Sequence, residues 1–428
     1  MIEYYLLPSI SCNLSATIIV PSSKSETNRF LILQHLFGNA FCIHNSSVAN
    51  DSILLTKILK NIPTIIDVED AGTCLRFLIP FLALKQHVNS DNSSVFTIKG
   101  SERLSLRPIK ELVQALQNIG AEIAYVDKIG QLPITITSKN NRGGILKFSH
   151  LPSSQFISAL LLVGAFLPDG ICVQLPITEL LSESYIQLTI YILQTIGIVV
   201  HTSYTASIIS YTILPQKLIP APSYTITGDW SGASYWYLLA ALSHTAAIAL
   251  PYLCYPSMQG DAAIVDLAAT YWQVETEITE QGVILHKKNT TSQKEDSINT
   301  VIDAKNFPDI VPTLVVGFGL LGKKTTICNV KTLLVKECNR IEALQTELAK
   351  LNIHVHYDML DDILYVDGSK LIIPTTPIYF CTYDDHRIAM SLAAVGLFSS
   401  QVYVDSVAVV NKSYPDFWNQ LSTTAFPL

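Results

Sequence analysis

The chain has 428 residues, 49% of them hydrophobic and only 15% charged, with a formal net charge of −7 at pH 7. That length calls for two cores rather than one, and an acidic balance without a stripe of Lys and Arg argues against a nucleic-acid or anionic-membrane partner. The eight cysteines form no C-x-x-C pair and no metal-ligand spacing, which reads as the reduced thiols of a cytoplasmic protein without a metal.

The N-terminus, Met-Ile-Glu-Tyr-Tyr-Leu-Leu-Pro, lacks the basic and apolar regions of a signal peptide. In chain order, the first element with chemistry in it is PSSKSETNRFLIL, where Lys24, Ser25 and Arg29 stand at the start of an apolar helix. Asp70-Ala-Gly72-Thr73, followed by Leu75-Arg76-Phe77, repeats that pattern, and Gly72 permits close approach of the backbone to a ligand. A strand is expected at 94–98. Arg107-Pro108 then opens a further helix with Pro at its first position, and a strand is expected at 132–137. Ser153-Ser154-Gln155 leads into FISALLLVGAF, and Ser231-Gly-Ala-Ser234 leads into YWYLLAAL.

Pro308-Asp309 precedes IVPTLVVGFGLL, and a strand follows at 325–328. Lys336 and Arg340 stand four apart in VKECNRI, on one face if that segment is helical, and the adjacent Lys336 and Glu337 make a candidate proton-transfer pair. Asp385-His386-Arg387 heads the apolar run IAMSLAAVGLF, a strand is expected at 401–404, and Lys412-Ser-Tyr-Pro415 supplies a last cation. The apolar runs, such as 236–253, are broken by Ser243, His244, Thr245 and Pro251, which suits core helices rather than membrane spans.

A repeat runs through these elements. IKELVQALQNIGAEI (109–123), IQLTIYILQTIGIVV (186–200) and IEALQTELAKLNIHV (341–355) each read as an amphipathic helix, a turn and a strand. Their turn residues Gly120, Gly197 and Asn352 are separated by 77 and then 155 residues, close to twice 77, which predicts a unit of roughly that length used several times. The glycines of Gly317-Phe-Gly319-Leu-Leu-Gly322-Lys323 fit a nucleotide-binding pattern, but a helix precedes and a strand follows, the reverse of what such a loop needs. They read as a helix end.

A helix start exposes unpaired N–H groups and a positive dipole end, so an arginine or lysine placed there makes an anion receptor rather than a structural device. Seven such mouths on one repeat are more than packing asks for. The stretches PSSKSETNR, DAGTCLRFL, RPIKELVQAL, SSQFISALL, GDWSGASYW, QGD (259–261), PDIVPTL, VKECNRI, DDHRIAM and NKSYPDF, in this order over nearly the whole chain, resemble the successive signatures of the 5-enolpyruvylshikimate-3-phosphate synthase family.

That resemblance implies an α/β fold, a two-domain inside-out α/β barrel in which each domain is three βαβαββ repeats with buried helices. It implies residues 1–20 plus 228–428 as domain I, 21–227 as domain II, and an active site in the interdomain cleft. Shikimate 3-phosphate would meet Lys24, Ser25, Arg29, Ser153, Ser154, Gln155, Ser182, Asp309 and Lys336, with Ser25 and Arg29 toward its carboxylate and the three serines on its phosphate. Phosphoenolpyruvate would meet Lys24, Gly72, Arg107, Gln155, Arg340, Arg387 and Lys412, with Asp385 and His386 ordering the site. The implied catalytic residues are Asp309 and Lys336 near the 5-hydroxyl, Glu337 at the methylene carbon, and Lys24.

The reaction implied is addition of that hydroxyl to phosphoenolpyruvate and elimination of phosphate, in a cytoplasmic monomer that needs no cofactor and is a target of glyphosate. Asp70, Asn339, Thr332 and Leu334 depart from the family's usual Asn, Asp, Asn and Arg. Two alternatives stand beside this reading: a related enolpyruvyl transferase using another acceptor, and a non-catalytic anion-binding homologue. The sister transferase acting on UDP-N-acetylglucosamine carries a cysteine in the loop where this chain reads GSERLSLR, and an RNA-cyclase relative would want a basic surface.

Overall fold

The computed structural model describes residues 3–84, 94–138, 141–216, 220–288 and 300–424. It divides into two compact units, Met1–Ser22 with Thr227–Leu428, and Ser23–Ile226. Each has its own apolar core, one around Trp236, Leu314 and Val395 and the other around Phe77, Leu160 and Leu193.

Strand pairing makes the repeat explicit. Ile65–Asp67 and Ser94–Lys99 pair in parallel across the helix Gly72–Leu84, and the hairpin Glu122–Tyr125/Ile134–Ser138 returns antiparallel to the second strand, giving the spatial order first, second, fourth, third. The same order recurs in Gly144–Lys147, Ile171–Pro176, His201–Tyr204 and Ile208–Ile213. The other unit shows it in Thr300–Asp303, Lys324–Cys328, His354–Asp358 and Ile363–Asp367. It shows it again in Asn13–Thr17, Thr245–Pro251, Val274–Thr279 and Gly282–Lys287, where the first strand precedes the inserted unit.

Two copies are shorter. Ile378–Phe380 and Val402–Val404 pair in parallel, with Tyr5–Leu6 from the chain's start in the antiparallel place. Cys42–His44 pairs in parallel with Ser223–Thr225. The six sheets among the described residues therefore belong three to each unit.

Within each unit the helices are central and the sheets outer. Every residue of Gly72–Leu84 except Thr73 is buried, as is all of Val311–Leu320, because a helix that is apolar all round must be covered all round. The strands alternate instead, as in Ile134–Ser138, and keep one face for the helices. Among the described residues no helix is long and apolar enough to cross a membrane, and no group of three or more His, Cys, Asp or Glu side chains is placed to hold a metal.

Between the turns at Gly197 and Asn352 the structure adds another, at Gln273. Gly120, Gly197, Gln273 and Asn352 all have positive φ, at +92°, +98°, +59° and +56°, and each lies in the turn between a helical segment and the first strand of the hairpin. In the copy ending at Gln273 a 3₁₀ turn (Gly260–Ala263), one α-turn (Ile264–Leu267) and a π-helical turn (Ala268–Trp272) replace a regular helix. Neither Gly nor Asn marks its end. The glycine run 317–322 ends a helix and precedes the strand Lys324–Cys328. A Cβ on Gly317 would stand 2.5 Å from Trp272, and one on Gly319 would stand 2.9 Å from Ile353, so close packing explains those two glycines.

Two local expectations change. The helix after Arg107-Pro108 is Lys110–Asn118, with Ile109 as the residue before its first turn, so Pro108 lies outside it. Lys336 has φ −84° and ψ −147° at the end of a 3₁₀ stretch, and the helix begins only at Arg340, capped by the Asn339 side chain. Lys336 and Arg340 do not share a helix face; a carboxylate brings them together.

Candidate active site

In the unit Ser23–Ile226, the Ser23 hydroxyl accepts from the Glu26 N–H at 3.3 Å and sets the start of the helix Lys24–Leu36. Lys24 and Ser25 thus occupy its first turn. The Lys24 ammonium is held at 3.2 Å by Asp51, a buried acid in the first turn of the helix Asn50–Lys60. Asp51 escaped the sequence reading because an acid near a helix start is an ordinary feature.

Arg29 sits one turn deeper and is only 2% exposed. Its Nε donates to Thr189 Oγ1 at 2.7 Å, Nη1 to the Ser25 carbonyl at 2.7 Å, and Nη2 to the Tyr185 carbonyl at 3.0 Å and Ser158 Oγ at 3.3 Å. Burial pulls its pKa down to about 10. This knot joins the helices Lys24–Leu36, Gln155–Gly164 and Glu183–Ile196 one turn in from their starts. Ser25, Ser154 and Ser182 stand three or four residues before the knotted positions, and so share one end of the unit.

Ser182 takes the left-handed conformation at φ +52° to enter its helix, and Ser153 Oγ accepts from the Gln155 N–H at 3.3 Å. Gln155 extends the knot to the helix Gly72–Leu84: its Oε1 accepts from Arg76 Nη1 at 2.8 Å and its Nε2 donates to Thr73 Oγ1 at 3.2 Å. Arg107 closes this end, with its guanidinium lying over Gly72. Asp70 accepts a short hydrogen bond from the Ser101 hydroxyl.

The unit containing residues 227–428 repeats the device with neutral groups. Ser234, Thr313 and Ser391 form a buried hydroxyl chain, at 3.2 and 3.4 Å, across the helices Trp230–Leu242, Val311–Leu320 and His386–Leu392. At the mouths of these helices lies an ionic cluster. Asp309 receives Lys336 at 3.3 Å and Arg340 at 3.4 Å on one oxygen, and Arg387 at 2.8 Å on the other. Glu337 receives Arg340 at 2.8 Å and Lys412 at 3.3 Å.

Arg340 also grips Asp385 through Nε at 2.7 Å, while an Asp385 oxygen accepts from the Arg387 N–H at 2.9 Å and caps that helix. Burial opposes the charge on Arg340, but the carboxylates of Asp385, Glu337 and Asp309 more than offset this and its pKa is raised. Ser231 donates a short hydrogen bond to the buried Asp261 and receives Arg387 Nη2 at 3.4 Å. Asp261 belongs to the quoted QGD stretch but was given no role there.

The structure therefore gathers Ser25, Ser153, Ser154, Gln155 and Ser182 at one end of the first unit, with Lys24, Arg29, Gly72 and Arg107 on the same helix starts or over them. It gathers Asp309, Lys336, Glu337, Arg340, Arg387 and Lys412 in the second. Serine and lysine donors, arginine forks and helix N-termini together suit phosphate and carboxylate. The class this defines is a pair of α/β repeat units whose helix starts carry groups suited to small anions.

The chain belongs to the EPSP synthase (3-phosphoshikimate 1-carboxyvinyltransferase) family, whose model matches residues 44–421, and it is accordingly a transferase. A 3-phosphoshikimate 1-carboxyvinyltransferase of Bacteroides fragilis (strain YCH46) is 37% identical over 423 residues, covering 99% of this chain and 98% of the relative. One from Buchnera aphidicola subsp. Baizongia pistaciae is 30% identical, with 96% of each covered. In fold, the chain is similar to the EPSP synthase structure from Acinetobacter baumannii (TM-score 0.71, 18% identity, 99% and 98% covered) and to the enolpyruvyl transferase NikO from Streptomyces tendae (TM-score 0.69, 15% identity, 99% and 97% covered).

Proposed function

We propose that this enzyme transfers the enolpyruvyl group of phosphoenolpyruvate to the 5-hydroxyl of shikimate 3-phosphate and releases phosphate. The observation that carries the reading is the cluster in which Asp309 and Glu337 are each held by two or more of Lys336, Arg340, Arg387 and Lys412. Such a cluster supplies both proton carriers and fixed positive charge. Ser25, Ser153, Ser154 and Ser182 bind the acceptor's carboxylate and phosphate, and Lys24, Gln155 and Arg107 join Arg340, Arg387 and Lys412 on the donor.

In the addition step the 5-hydroxyl oxygen bonds to the central carbon of phosphoenolpyruvate. Its proton passes to Asp309 beside Lys336, while Glu337 delivers a proton to the methylene carbon. Elimination reverses the proton at that carbon and expels phosphate with a proton. The cations around the cluster stabilise the charge that develops on the donor. Arg29, with its guanidinium hydrogen-bonded to four groups of its own unit, acts on the acceptor chiefly by fixing Ser25 and the two serine-bearing helices.

The reading includes a cytoplasmic monomer inhibited by glyphosate at the donor site. The test is release of phosphate from purified protein mixed with both substrates. Turnover that needs both supports the reading; no phosphate release from the full mixture, or equal release from phosphoenolpyruvate alone, overturns it.

A further inference from the structure

We propose that Asp261 is a positioning residue for Arg387: it holds Ser231 against the guanidinium, and by taking up or losing a proton it sets how strongly Arg387 takes a substrate anion. The inference rests on the reading above, in which Arg387 meets the donor.

Geometry comes first. Asp261 lies in the 3₁₀ turn Gly260–Ala263, and the preceding Gln259 clamps that turn to the start of the helix Trp230–Leu242. Its Oε1 accepts from the Trp230 N–H at 3.0 Å, and its Nε2 donates to the Gly228 carbonyl at 2.9 Å. Asp261 is 4% exposed, one oxygen receives the Ser231 hydroxyl, and that hydroxyl oxygen receives Arg387 Nη2 at 3.4 Å. The same Nη2 reaches Asp309 at 2.8 Å. Asp261 and Asp309 are thus two carboxyls leaning on one guanidinium, the first through a serine.

The other oxygen, Oδ1, is buried and has no hydrogen-bond partner among the described residues. A charged oxygen left so costs more than a neutral one. Every element packed on Asp261 contributes to its titration. The entry to the helix at Trp230 offers Ser231 and Asp229, the turn Pro308–Ile310 offers Asp309, and the helix His386–Leu392 offers Arg387. On its own segment the next acid, Asp266, is exposed. Burial, then the Asp309 charge, raises the Asp261 pKa; Arg387 and Ser231 pull it back, and Asp229 adds to the rise, leaving it at about 7.

Proton uptake changes the charge that an arriving anion meets. The side chains joined in the cluster are the cations Lys336, Arg340, Arg387 and Lys412 and the acids Asp309, Glu337, Asp385 and Asp261. With Asp261 protonated the cluster carries one more unit of positive charge than with Asp261 charged, whichever protons the other acids hold. Anion affinity should therefore be full below about pH 7 and weaken above it.

The experiment measures kcat/KM for phosphoenolpyruvate and KM for shikimate 3-phosphate in the wild type and Asp261→Asn from about pH 5.5 to 9. Asparagine keeps an acceptor for Ser231 and stays neutral, and the variant-to-wild-type ratio cancels the substrate's own titration. The ratio for phosphoenolpyruvate should be flat below about pH 6 and rise roughly three- to tenfold above about pH 8, as removal of one nearby charge predicts. KM for shikimate 3-phosphate should change less. A ratio that does not vary with pH overturns the proposal, including one that is uniformly low with a lowered melting temperature.

Infrared spectroscopy of the wild type gives an arm independent of turnover. A protonated-carboxyl band should vanish with a midpoint near 7 and be missing in Asp261→Asn; its persistence in the variant overturns the assignment. Should that variant fail to fold, Ser231→Ala removes a donor that favours the charged carboxyl, so the band's midpoint must move up, and an unmoved midpoint overturns the proposal. Calorimetric binding of inorganic phosphate over the same pH range separates the two readings. Absent turnover with the expected phosphate and infrared results sinks the proposed function and spares Asp261, whereas turnover with a flat ratio does the reverse.

Discussion

A Cβ added to Gly72 would stand 2.7 Å from Nη1 and 3.1 Å from Cζ of Arg107. Gly72 is not among the glycines with positive φ, so its smallness serves the arginine and not a strained backbone. Gly72→Ala should therefore keep the fold and push the Arg107 guanidinium aside. Steady-state kinetics should show KM for phosphoenolpyruvate raised about tenfold, equivalent to about 1.4 kcal/mol, with KM for shikimate 3-phosphate nearly unchanged and the melting temperature within a few degrees. Glyphosate loses affinity together with the donor if Arg107 is what moves, and loses more than the donor if the methyl itself meets the inhibitor. Adding Arg107→Ala distinguishes these, since two changes acting through one group do not add.

Lys24 depends on Asp51 in a comparable way. The pair is 3.2 Å apart and both side chains are largely buried, so the ammonium is aimed by a carboxylate on a neighbouring helix. Asp51→Asn keeps the shape and removes the charge. The expected outcome is a fall in kcat/KM of roughly ten- to a hundredfold, the size of effect that misplacing a substrate-positioning group can have, with the circular dichroism spectrum unaltered. A loss confined to stability would show that Asp51 is only packing.

How much of this was legible in the chain divides along physical lines. The helix mouths were readable because lysine, arginine and serine before an apolar run break the pattern that burial alone would write. The 77-residue period was readable at Gly120, Gly197 and Asn352, since these residue types tolerate the left-handed turn. At Gln273 the same turn is held by tertiary context, and the π-helical segment before it has no helical periodicity to find.

Asp51 and Asp261 were missed because their meaning lies in partners 27 and 30 residues away, Lys24 and Ser231. The knot at Arg29 was out of reach for the same reason. Its partners Ser158, Tyr185 and Thr189 lie on two helices more than a hundred residues along the chain.

Arg340 is 1% exposed and donates to Asp385, Glu337 and Asp309. Arg340→Met should be the most destabilising change at the site, because three acids lose their common partner and Asp385 stays buried. Removing one member of such a group costs about 3–5 kcal/mol, and urea denaturation should report it. Arg340→Lys restores charge but not the fork, so it should recover only part of that loss. Full recovery by lysine would mean that the bidentate geometry is unimportant.

Lys287 gives a pH-dependent prediction away from the site. Its Nζ donates to the carbonyls of Ala241 at 2.6 Å and Trp272 at 3.0 Å, closing the ends of the helix Trp230–Leu242 and of the π-helical turn. Burial, helped by the nearby Lys323, lowers its pKa to about 8. A neutral amine still has two N–H groups for those two carbonyls, so losing the proton relieves the buried charge without breaking the caps. Unfolded lysine titrates near 10.4. Between about pH 8 and 10.4 the unfolded chain thus binds more protons than the folded one, and this residue's contribution to stability rises with pH across that window. Lys287→Met cannot titrate and makes neither bond. The gap in unfolding free energy between wild type and variant, measured by denaturant titration at about pH 7, 8, 9 and 10, should widen toward the alkaline end. A gap that stays constant or narrows would show that Lys287 keeps its proton throughout and caps these carbonyls as a cation.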